Sequence, residues 1–186
     1  MHSFRLYTLA ILSLAAAPDA SQGASSGPAI QVSGDLCTGG TASGTGLRGA
    51  YYSGDPRIVK PALIRLDPRV ESAALQTSRR MLPTMPVHTA RWCGWIRPIV
   101  SGPHRFSATA KKLRVEINKK TVTNTAAGES SAVEMQAGKA YAILVEIQDA
   151  DKTGEFSLQW TPPFGVTYAV PPTVLFPPVA TVDPGC

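Results

Sequence analysis

Apolar and polar side chains alternate along the middle of this chain. From residue 91 to residue 98, the alternation places Trp92, Gly94 and Ile96 on the same side. A repeat of two residues is typical of a β-strand that buries one face. We therefore predict a strand here, followed by a turn at the Ser-Gly-Pro sequence of residues 101–103.

The clearest alternation runs from Leu113 to Asn118, where three aliphatic side chains alternate with charged or amide side chains. This pattern predicts a strand with one buried and one solvated face. Asn118 and Lys119 suit a tight turn, because asparagine tolerates a positive φ. A returning strand begins at Val122, so the whole region is predicted to be an antiparallel meander.

Other short apolar runs predict further strands, separated by turn residues. Residues 81–89 and 123–131 are predicted loops, and the proline-rich stretch 162–178 is expected to lie along a sheet edge. The further strands are predicted at residues 46–52, 58–66, 132–135, 140–147 and 155–161.

The segment after the second of these strands fits a helix. Asp67 suits the N-cap position, Pro68 suits the first helical position, and the helix would run to about Arg80. Helix propensity is a weak predictor, so an extended segment followed by a loop is kept as the alternative.

A strand with one buried face needs a second layer to cover it. Because the predicted elements are short strands joined by turns, we predict an all-β fold, a sandwich of antiparallel sheets. The 16 Gly and 16 Pro among 186 residues suit such a turn-rich fold. The side chains expected to be buried together between the sheets are Trp92, Phe106, Val115, Ile117, Leu158 and Trp160.

Composition and charge narrow the class of function. Hydrophobic residues make up 44% of the chain and its mean hydropathy is zero, as in ordinary globular domains. The net charge is +5, but the basic residues come as short pairs such as Lys111-Lys112. A nucleic-acid surface would need a denser basic stripe with exposed aromatic residues. We therefore predict no nucleic-acid partner.

The first 23 residues have the pattern of a secretory signal peptide. Arg5 supplies the positive charge, and the apolar run from Leu6 to Ala17 is too short to span a bilayer. Small residues before Ala24 suit cleavage there, although a buried N-terminal strand is the alternative. We expect residues 24–45 to form a flexible arm, residues 46–178 the folded domain, and residues 179–186 a tail.

Three cysteines in an exported chain favour one disulfide bond and one free thiol. Cys37 and Cys186 flank the predicted domain, and the ends of a sandwich often lie close together. We therefore predict a Cys37–Cys186 bond. The alternatives are that no bond forms, or that the cysteine in the tail pairs with another chain.

The sequence carries no recognised catalytic motif. No histidine has a partner at metal-ligand spacing, and neither a nucleophile elbow nor a phosphate-binding Gly-Lys-Ser/Thr loop occurs. Residues 149–154 resemble the first half of a calcium loop, but Trp160 stands where a closing glutamate is required. We predict a protein that is not an enzyme and has no cofactor.

Six motifs follow one another in the order and spacing of a known family. Together they make the chain resemble the protective-antigen-fourteen domain, over residue 46 to about residue 178. The resemblance implies a lectin-like, jelly-roll-type β-sandwich that binds carbohydrate, and it favours an extended segment over a helix at residues 67–80. The motifs are Gly46–Tyr52, Arg91–Trp95, Ser101–Ser107, Ile117–Lys120, Met135–Tyr141 and Leu158–Trp160.

One departure from the family bears on its ligand chemistry. Sugar-binding relatives place an adjacent Asp-Asp pair before the central strand, where it holds a calcium ion that ligates the glycan. This chain has Ala110 and Lys111 there, with Lys112 beside them. Calcium needs several oxygen ligands, which these residues do not supply. The resemblance therefore predicts carbohydrate binding that does not depend on calcium.

Candidate ligand-binding residues are one aromatic side chain and several polar residues on turns. Trp95 lies on the strand face opposite Trp92, where an exposed ring could stack on a sugar, although it could also pack beneath the preceding loop. Ordinary turn chemistry is the alternative for each polar residue. The polar candidates are Asn118, Lys119, Asn124, Asp149 and Asp151.

These observations lead to two hypotheses. The first is an exported, non-catalytic carbohydrate-binding module whose partner is a glycan or a cell-envelope polysaccharide. The second is a structural or adhesive envelope module that binds an envelope protein and has lost the sugar site. In both, the protein is secreted or periplasmic and has no membrane span once the leader is removed.

Overall fold

The computed structural model describes residues 44–178. The predicted leader, almost all of the predicted arm and the predicted tail lie outside these residues. The described part forms twelve strands and one α-helix, α1 (Ser72–Met81). The strands are β1 (Leu47–Tyr52), β2 (Leu63–Asp67), β3 (Thr89–Ile96), β4 (Gly102–Ser107), β5 (Leu113–Ile117), β6 (Lys120–Asn124), β7 (Glu129–Ser130), β8 (Val133–Met135), β9 (Tyr141–Gln148), β10 (Gln159–Thr161), β11 (Tyr168–Ala169) and β12 (Leu175–Phe176).

The strands form two antiparallel sheets. The larger sheet has the order β2-β1-β3-β9-β5-β6-β7, and β12 also pairs with β3. The smaller sheet has the order β11-β10-β4-β8. The predicted all-β sandwich is therefore confirmed. The predicted β5–β6 turn is also confirmed, because Asn118 and Lys119 have φ values of 50° and 66°.

The main hydrophobic core lies between the two sheets, where inward-facing side chains of both sheets meet. Trp92, at its centre, is fully buried and packs edge-on against Tyr51, with 5.9 Å between ring centroids. The structure places all six side chains chosen from the sequence in this core: Trp92, Phe106, Val115, Ile117, Leu158 and Trp160.

The outer face of β3 is also covered near its end. There Trp95, Ala142 and Phe176 form a second, smaller buried cluster. β12 brings Phe176 against β3, and the close approach requires a glycine, since a Cβ added to Gly94 would lie 2.2 Å from the Phe176 carbonyl oxygen. The proline-rich stretch 162–178 therefore does more than follow a sheet edge, because it also supplies a strand that pairs within the larger sheet.

Asp67 does not cap the helix. Of the two alternatives predicted for this segment, the helix is the one that forms. It begins at Ser72, with Glu71 at the N-cap. Asp67 ends β2 and its side chain is buried in the core, where it accepts hydrogen bonds from the Tyr51 hydroxyl and from Trp92 Nε1, the latter at 2.9 Å. Tertiary partners have therefore outweighed the local capping preference.

The buried Asp67 carboxylate is charge-compensated by Arg65, whose Nε lies 2.7 Å from Asp67 Oδ1. Gly49 provides the space, because a Cβ there would lie 2.1 Å from Asp67 Oδ2. Burial, together with the neighbouring negative charge of Asp67, raises the pKa of Tyr51 far above its usual value. The Tyr51 hydroxyl therefore stays protonated and serves as a hydrogen-bond donor.

Several predicted element boundaries were wrong. The second strand was predicted from residue 58 but begins at Leu63, and the strand predicted at 155–161 is shortened to Gln159–Thr161. The loop predicted at 123–131 includes all of β7, which pairs with β6, and the last two residues of β6. These segments carry prolines or polar residues that interrupt the sheet ladders, and apolar content alone does not reveal where pairing stops.

The predicted Cys37–Cys186 bond joins two residues outside the described part of the chain. Cys93, on β3, is disulfide-bonded. Because the sequence holds three cysteines, a bond at Cys93 to either of the others is incompatible with the predicted pair.

Candidate functional site

A row of charged side chains crosses the outer face of the larger sheet. The strand register places Arg91, Glu146 and Arg114 opposite one another on β3, β9 and β5, and Asn124 on β6 continues the row. Side chains directly opposite on one sheet face are close enough to interact. Residues from four strands are therefore brought together, although they are far apart in sequence.

Glu146 is the centre of this row. Its side chain is only 6% exposed, and Oε2 accepts a hydrogen bond of 2.6 Å from Arg91 Nε. Its other oxygen accepts a bond of 3.1 Å from Gln148 Nε2, and Arg114 Nη2 lies 3.7 Å away from it. A buried carboxylate needs such partners. The arrangement fixes the orientation of Arg91, while Arg114 lies nearer to Glu116, with 3.2 Å between Nη1 and Oε1.

Loops at the end of the strands enclose the row in an open cleft of about 810 Å³. We call it the ion-pair cleft. It is lined by Asp55, Arg57, His88, Arg91, Lys112, Arg114, Asn124, Glu146, Gln148 and Asp149, together with smaller residues. Four of these side chains are permanently cationic and three are carboxylates, so each sign of charge is available to a ligand.

Ion pairs at the rim hold the loop side chains in place. Arg57 donates to both oxygens of Asp55, at 2.6 Å from Nη2 to Oδ2 and 3.0 Å from Nε to Oδ1. These hydrogen bonds lower the pKa of Asp55 to about 2. The carboxylate therefore remains charged, and stays an acceptor, throughout the physiological pH range.

The opposite rim is formed by two further pairs. Lys112 Nζ lies 2.5 Å from Asp149 Oδ2, and this hydrogen bond lowers the pKa of Asp149. His88 Nδ1 lies 3.2 Å from Asp151 Oδ1. Asp149 adopts a positive φ of 52°, which turns the chain at the end of β9. The two acidic residues of the calcium-like sequence are thus each next to a basic side chain.

The structure brings three of the candidate binding residues together. Asn124 and Asp149 line the ion-pair cleft, and Asp151 contacts His88 in its wall. Asn118 and Lys119 lie at the far end of the β5–β6 hairpin. The side chain of Asn118 accepts a hydrogen bond of 2.9 Å from the Ala142 amide, so it links the turn to β9.

Trp95 is not an exposed aromatic platform. Its side chain is buried, with 1% of its surface exposed, against Ala142 and Phe176. The expectation of a sugar-stacking ring at this position was therefore wrong. The covering residue comes from β12, about 80 residues later in the sequence, and no local pattern around Trp95 indicates it.

The residues at the centre of the cleft were not predicted from the sequence. Arg91, Arg114 and Glu146 were not among the candidate binding residues, and neither was the Asp55–Arg57 pair. One signal was available, because Glu146 is the only charged residue in the strand Tyr141–Gln148. A single carboxylate within an apolar strand needs a partner on a neighbouring strand.

The place that corresponds to the family's carboxylate pair lies beside the ion-pair cleft. Ala110 is buried in the main core, and Lys111 is exposed. A smaller cleft of about 450 Å³ there is lined by Lys111, Lys112 and Lys152 as well as by Asp149 and Glu155. Among residues 44–178, no group of three His, Cys, Asp or Glu side chains could hold a metal ion.

Comparison with known proteins identifies the family. The family model of the PA14 domain matches residues 43–173 of this chain. PA14 is the short name of the protective-antigen-fourteen domain. The resemblance found in the sequence is therefore confirmed. No curated protein sequence matches this chain.

Solved structures share the fold at low sequence identity. An anti-sigma factor domain-containing protein from Clostridium clariflavum is 23% identical with a TM-score of 0.57, covering 72% of this chain and 47% of its own. The transport component C2-II of the C2-toxin from Clostridium botulinum is 21% identical with a TM-score of 0.58, covering 74% and 28%. The PA14 domain of the MpAFP antifreeze protein is 11% identical with a TM-score of 0.54, covering 72% and 91%. This chain thus spans about half the length of the first of these proteins.

Proposed function

Because this chain belongs to the PA14 domain family, we propose that it is a non-catalytic carbohydrate-binding module that works without calcium. The binding surface is the ion-pair cleft. The observation that carries the proposal is the row of Arg91, Glu146 and Arg114 in an open cleft, where fixed donors and acceptors alternate.

The chemistry of the cleft suits sugar hydroxyl groups. Each hydroxyl group both donates and accepts hydrogen bonds, so it is matched by guanidinium, amide and carboxylate groups side by side. The ion pairs hold these groups before the ligand arrives, which lowers the entropy lost on binding. Arg114 keeps 40% of its side chain exposed and is therefore accessible to a ligand.

The charges beside the cleft support calcium independence. A calcium ion needs six to eight oxygen ligands, and carboxylates also supply compensating charge. Ala110 has no ligand atom in its side chain, and Lys112 already binds the Asp149 carboxylate. A bound ion would have to displace Lys112 and remain close to its positive charge, which is unfavourable.

A glycan array with and without calcium tests this function. We expect the same glycans to be bound in a calcium chelator, and no calcium affinity tighter than about millimolar in titration calorimetry. Replacing Arg114 by glutamine should weaken binding about tenfold or more, because it removes a charge-assisted donor. The matched control is Arg105→Gln, which changes an exposed arginine on β4 in the other sheet.

Binding that disappears in the chelator would contradict calcium independence. An equal loss in the Arg114→Gln and Arg105→Gln proteins would show that the cleft is not the binding surface. Failure to bind any glycan, with the protein folded, would reject carbohydrate binding altogether.

A second candidate function is a structural or adhesive module that binds an envelope protein. The specific observation in its favour is that, within the described residues, no Trp, Tyr or Phe lines the ion-pair cleft, although aromatic rings commonly stack on sugars. Charged pairs at a surface also contribute to specificity in protein association. The glycan array separates the two candidates, because only the first predicts bound glycans.

We further propose that the protein is exported and acts in a secreted or periplasmic location. The support is the charged start and short apolar run of residues 1–23. N-terminal sequencing of the protein recovered from its native host should show a chain that begins near Ala24. A cytoplasmic protein that retains Met1 would contradict export.

A further inference from the structure

The end of the sandwich opposite the ion-pair cleft has a different character. β3 runs from the cleft at Thr89 to this end at Ile96. Four connections meet there, which we call the distal loops. They are residues 97–101 between β3 and β4, residues 118–119 between β5 and β6, residues 136–140 between β8 and β9, and residues 162–167 between β10 and β11.

Contacts join the distal loops into one surface. Arg97 Nε donates to the Gly138 carbonyl at 2.7 Å, and the Gly138 amide donates to the Pro98 carbonyl at 2.8 Å. Pro163 approaches so closely that a Cβ on Gly102 would lie 2.7 Å from its Cγ. The β3–β4 loop is therefore in contact with the β8–β9 loop, and the β10–β11 loop packs against the first residue of β4.

Apolar side chains project from this end. Ile99 is 71% exposed, Phe164 56% and Val166 59%. Such large exposed fractions for three apolar side chains on two neighbouring loops are unusual for a surface that faces only water. The apolar side chains lie at loop tips and not in a groove. They can therefore enter an apolar environment outside the protein without any rearrangement of the fold.

The tip that carries Phe164 is held in shape by its own contacts. The Gly165 amide donates to the Pro162 carbonyl at 2.9 Å, which closes a turn with Pro163 at its second position. The Phe164 ring stacks on Tyr168, with ring centroids 6.3 Å apart and an interplanar angle of 10°. Tyr168 in turn packs edge-on against the buried Trp160. The exposed ring is therefore anchored to the core.

The charged side chains within the distal loops are of one sign. None of the four distal loops contains Asp or Glu, whereas Arg97, Lys119 and Lys139 lie within them and Lys120 follows directly. Among the described residues, no ion pair involves any of these three lysines. In the ion-pair cleft, by contrast, Arg57, Arg91, Arg114 and Lys112 each have a carboxylate partner.

We propose that the distal loops dock onto the surface of a bilayer that contains anionic phospholipid. Phe164, Val166 and Ile99 enter the boundary between headgroups and acyl chains, and the lysines contact the anionic headgroups. Exposed apolar side chains combined with lysine or arginine provide the two forces that hold a protein at a membrane surface.

This attachment is peripheral and does not rest on carbohydrate binding. Among residues 44–178, no helix is long and apolar enough to cross a membrane. With the distal loops at the lipid, the ion-pair cleft at the opposite end of the strands would face away from the bilayer. The module could then hold its cleft toward material outside the membrane.

Vesicle co-sedimentation tests the proposal. The protein is used without residues 1–23, which lie outside the described fold and whose apolar run would itself enter lipid. We expect strong binding to phosphatidylcholine vesicles with about 30% phosphatidylglycerol and weak binding to phosphatidylcholine alone. Phe164→Ser should lower the partition coefficient about tenfold. The double variant Lys120→Glu, Lys139→Glu should lower the partition coefficient at least as much.

Matched controls are available near the cleft end. Ile58→Ser removes an apolar side chain that is 84% exposed, and Lys60→Glu with Lys152→Glu makes the same change in net charge. Both controls should bind vesicles as the unchanged protein does, and all variants should keep its melting temperature. Equal losses in controls and distal-loop variants would overturn the proposal.

Two other results would also overturn it. One is binding that does not depend on phosphatidylglycerol and is unaffected by Phe164→Ser. The other is no vesicle binding together with binding to a soluble sulfated polysaccharide, since that outcome would assign the lysines to a polyanionic glycan.

Discussion

Replacing Trp92 with alanine should lower the free energy of unfolding by about 3–5 kcal/mol, the range observed for large aromatic side chains in cores. Trp92 is fully buried and contacts the rings of Tyr51 and Phe156. The substitution removes this packing, leaves a cavity between the sheets, and takes away the donor to Asp67. Ring packing and a buried hydrogen bond are therefore lost together, and the cavity adds a further cost.

Denaturant unfolding followed by circular dichroism measures this change. Trp92→Phe is the matched control, because it keeps most of the ring volume and removes only the indole N–H bond to Asp67. Its loss should be clearly smaller than that of Trp92→Ala. A loss below about 1 kcal/mol for Trp92→Ala would mean that this face of β3 does not form the core.

Replacing Asp67 with alanine should lower the free energy of unfolding by about 3–5 kcal/mol, as when one partner of a buried ion pair is removed. The Tyr51 hydroxyl and Trp92 Nε1 would lose their shared acceptor inside the core. Arg65, only 23% exposed, would lose its carboxylate partner. Buried donors without acceptors are costly, because water cannot replace the lost partner.

Thermal and denaturant melts of three proteins test this role. Asp67→Asn keeps one acceptor oxygen and a similar volume, so it should be destabilised less than Asp67→Ala. Asp55→Ala removes a carboxylate that also pairs with an arginine, but at the surface, and should leave the unfolding midpoint nearly unchanged. If Asp67→Ala behaves like Asp55→Ala, the buried carboxylate does not stabilise the fold.

Asp67 and Trp92 should also show coupled effects. Both residues belong to one hydrogen-bonded group, so removing the second partner costs less once the first is gone. The Asp67→Ala, Trp92→Phe double variant should therefore lose less stability than the sum of the two single losses.

Asp67 also shows where local signals mislead. In the sequence, an aspartate before a proline is a good start for a helix. In the fold the same side chain is the acceptor for two buried donors, and the helix begins five residues later at Ser72. The donors belong to Tyr51 and Trp92, which are distant in sequence, so no local window contains the competing interaction.

Trp95 illustrates the same limit at the candidate site. Alternation along β3 correctly places Trp95 on the face opposite Trp92. It does not tell whether the face that carries Trp95 is exposed to solvent. The answer depends on β12, which returns to pair with β3 and covers Trp95 with Phe176. The residues next to Trp95 in the sequence carry no information about this pairing.

The sequence by itself determined the alternating strands, the Asn118-Lys119 turn and the membership of the PA14 family, because side-chain period and turn chemistry are local properties. Only the tertiary structure decided that Arg91, Glu146 and Arg114 form one row, and that the distal loops share one end. Those juxtapositions depend on strand order and register, which are set by contacts between residues tens of positions apart.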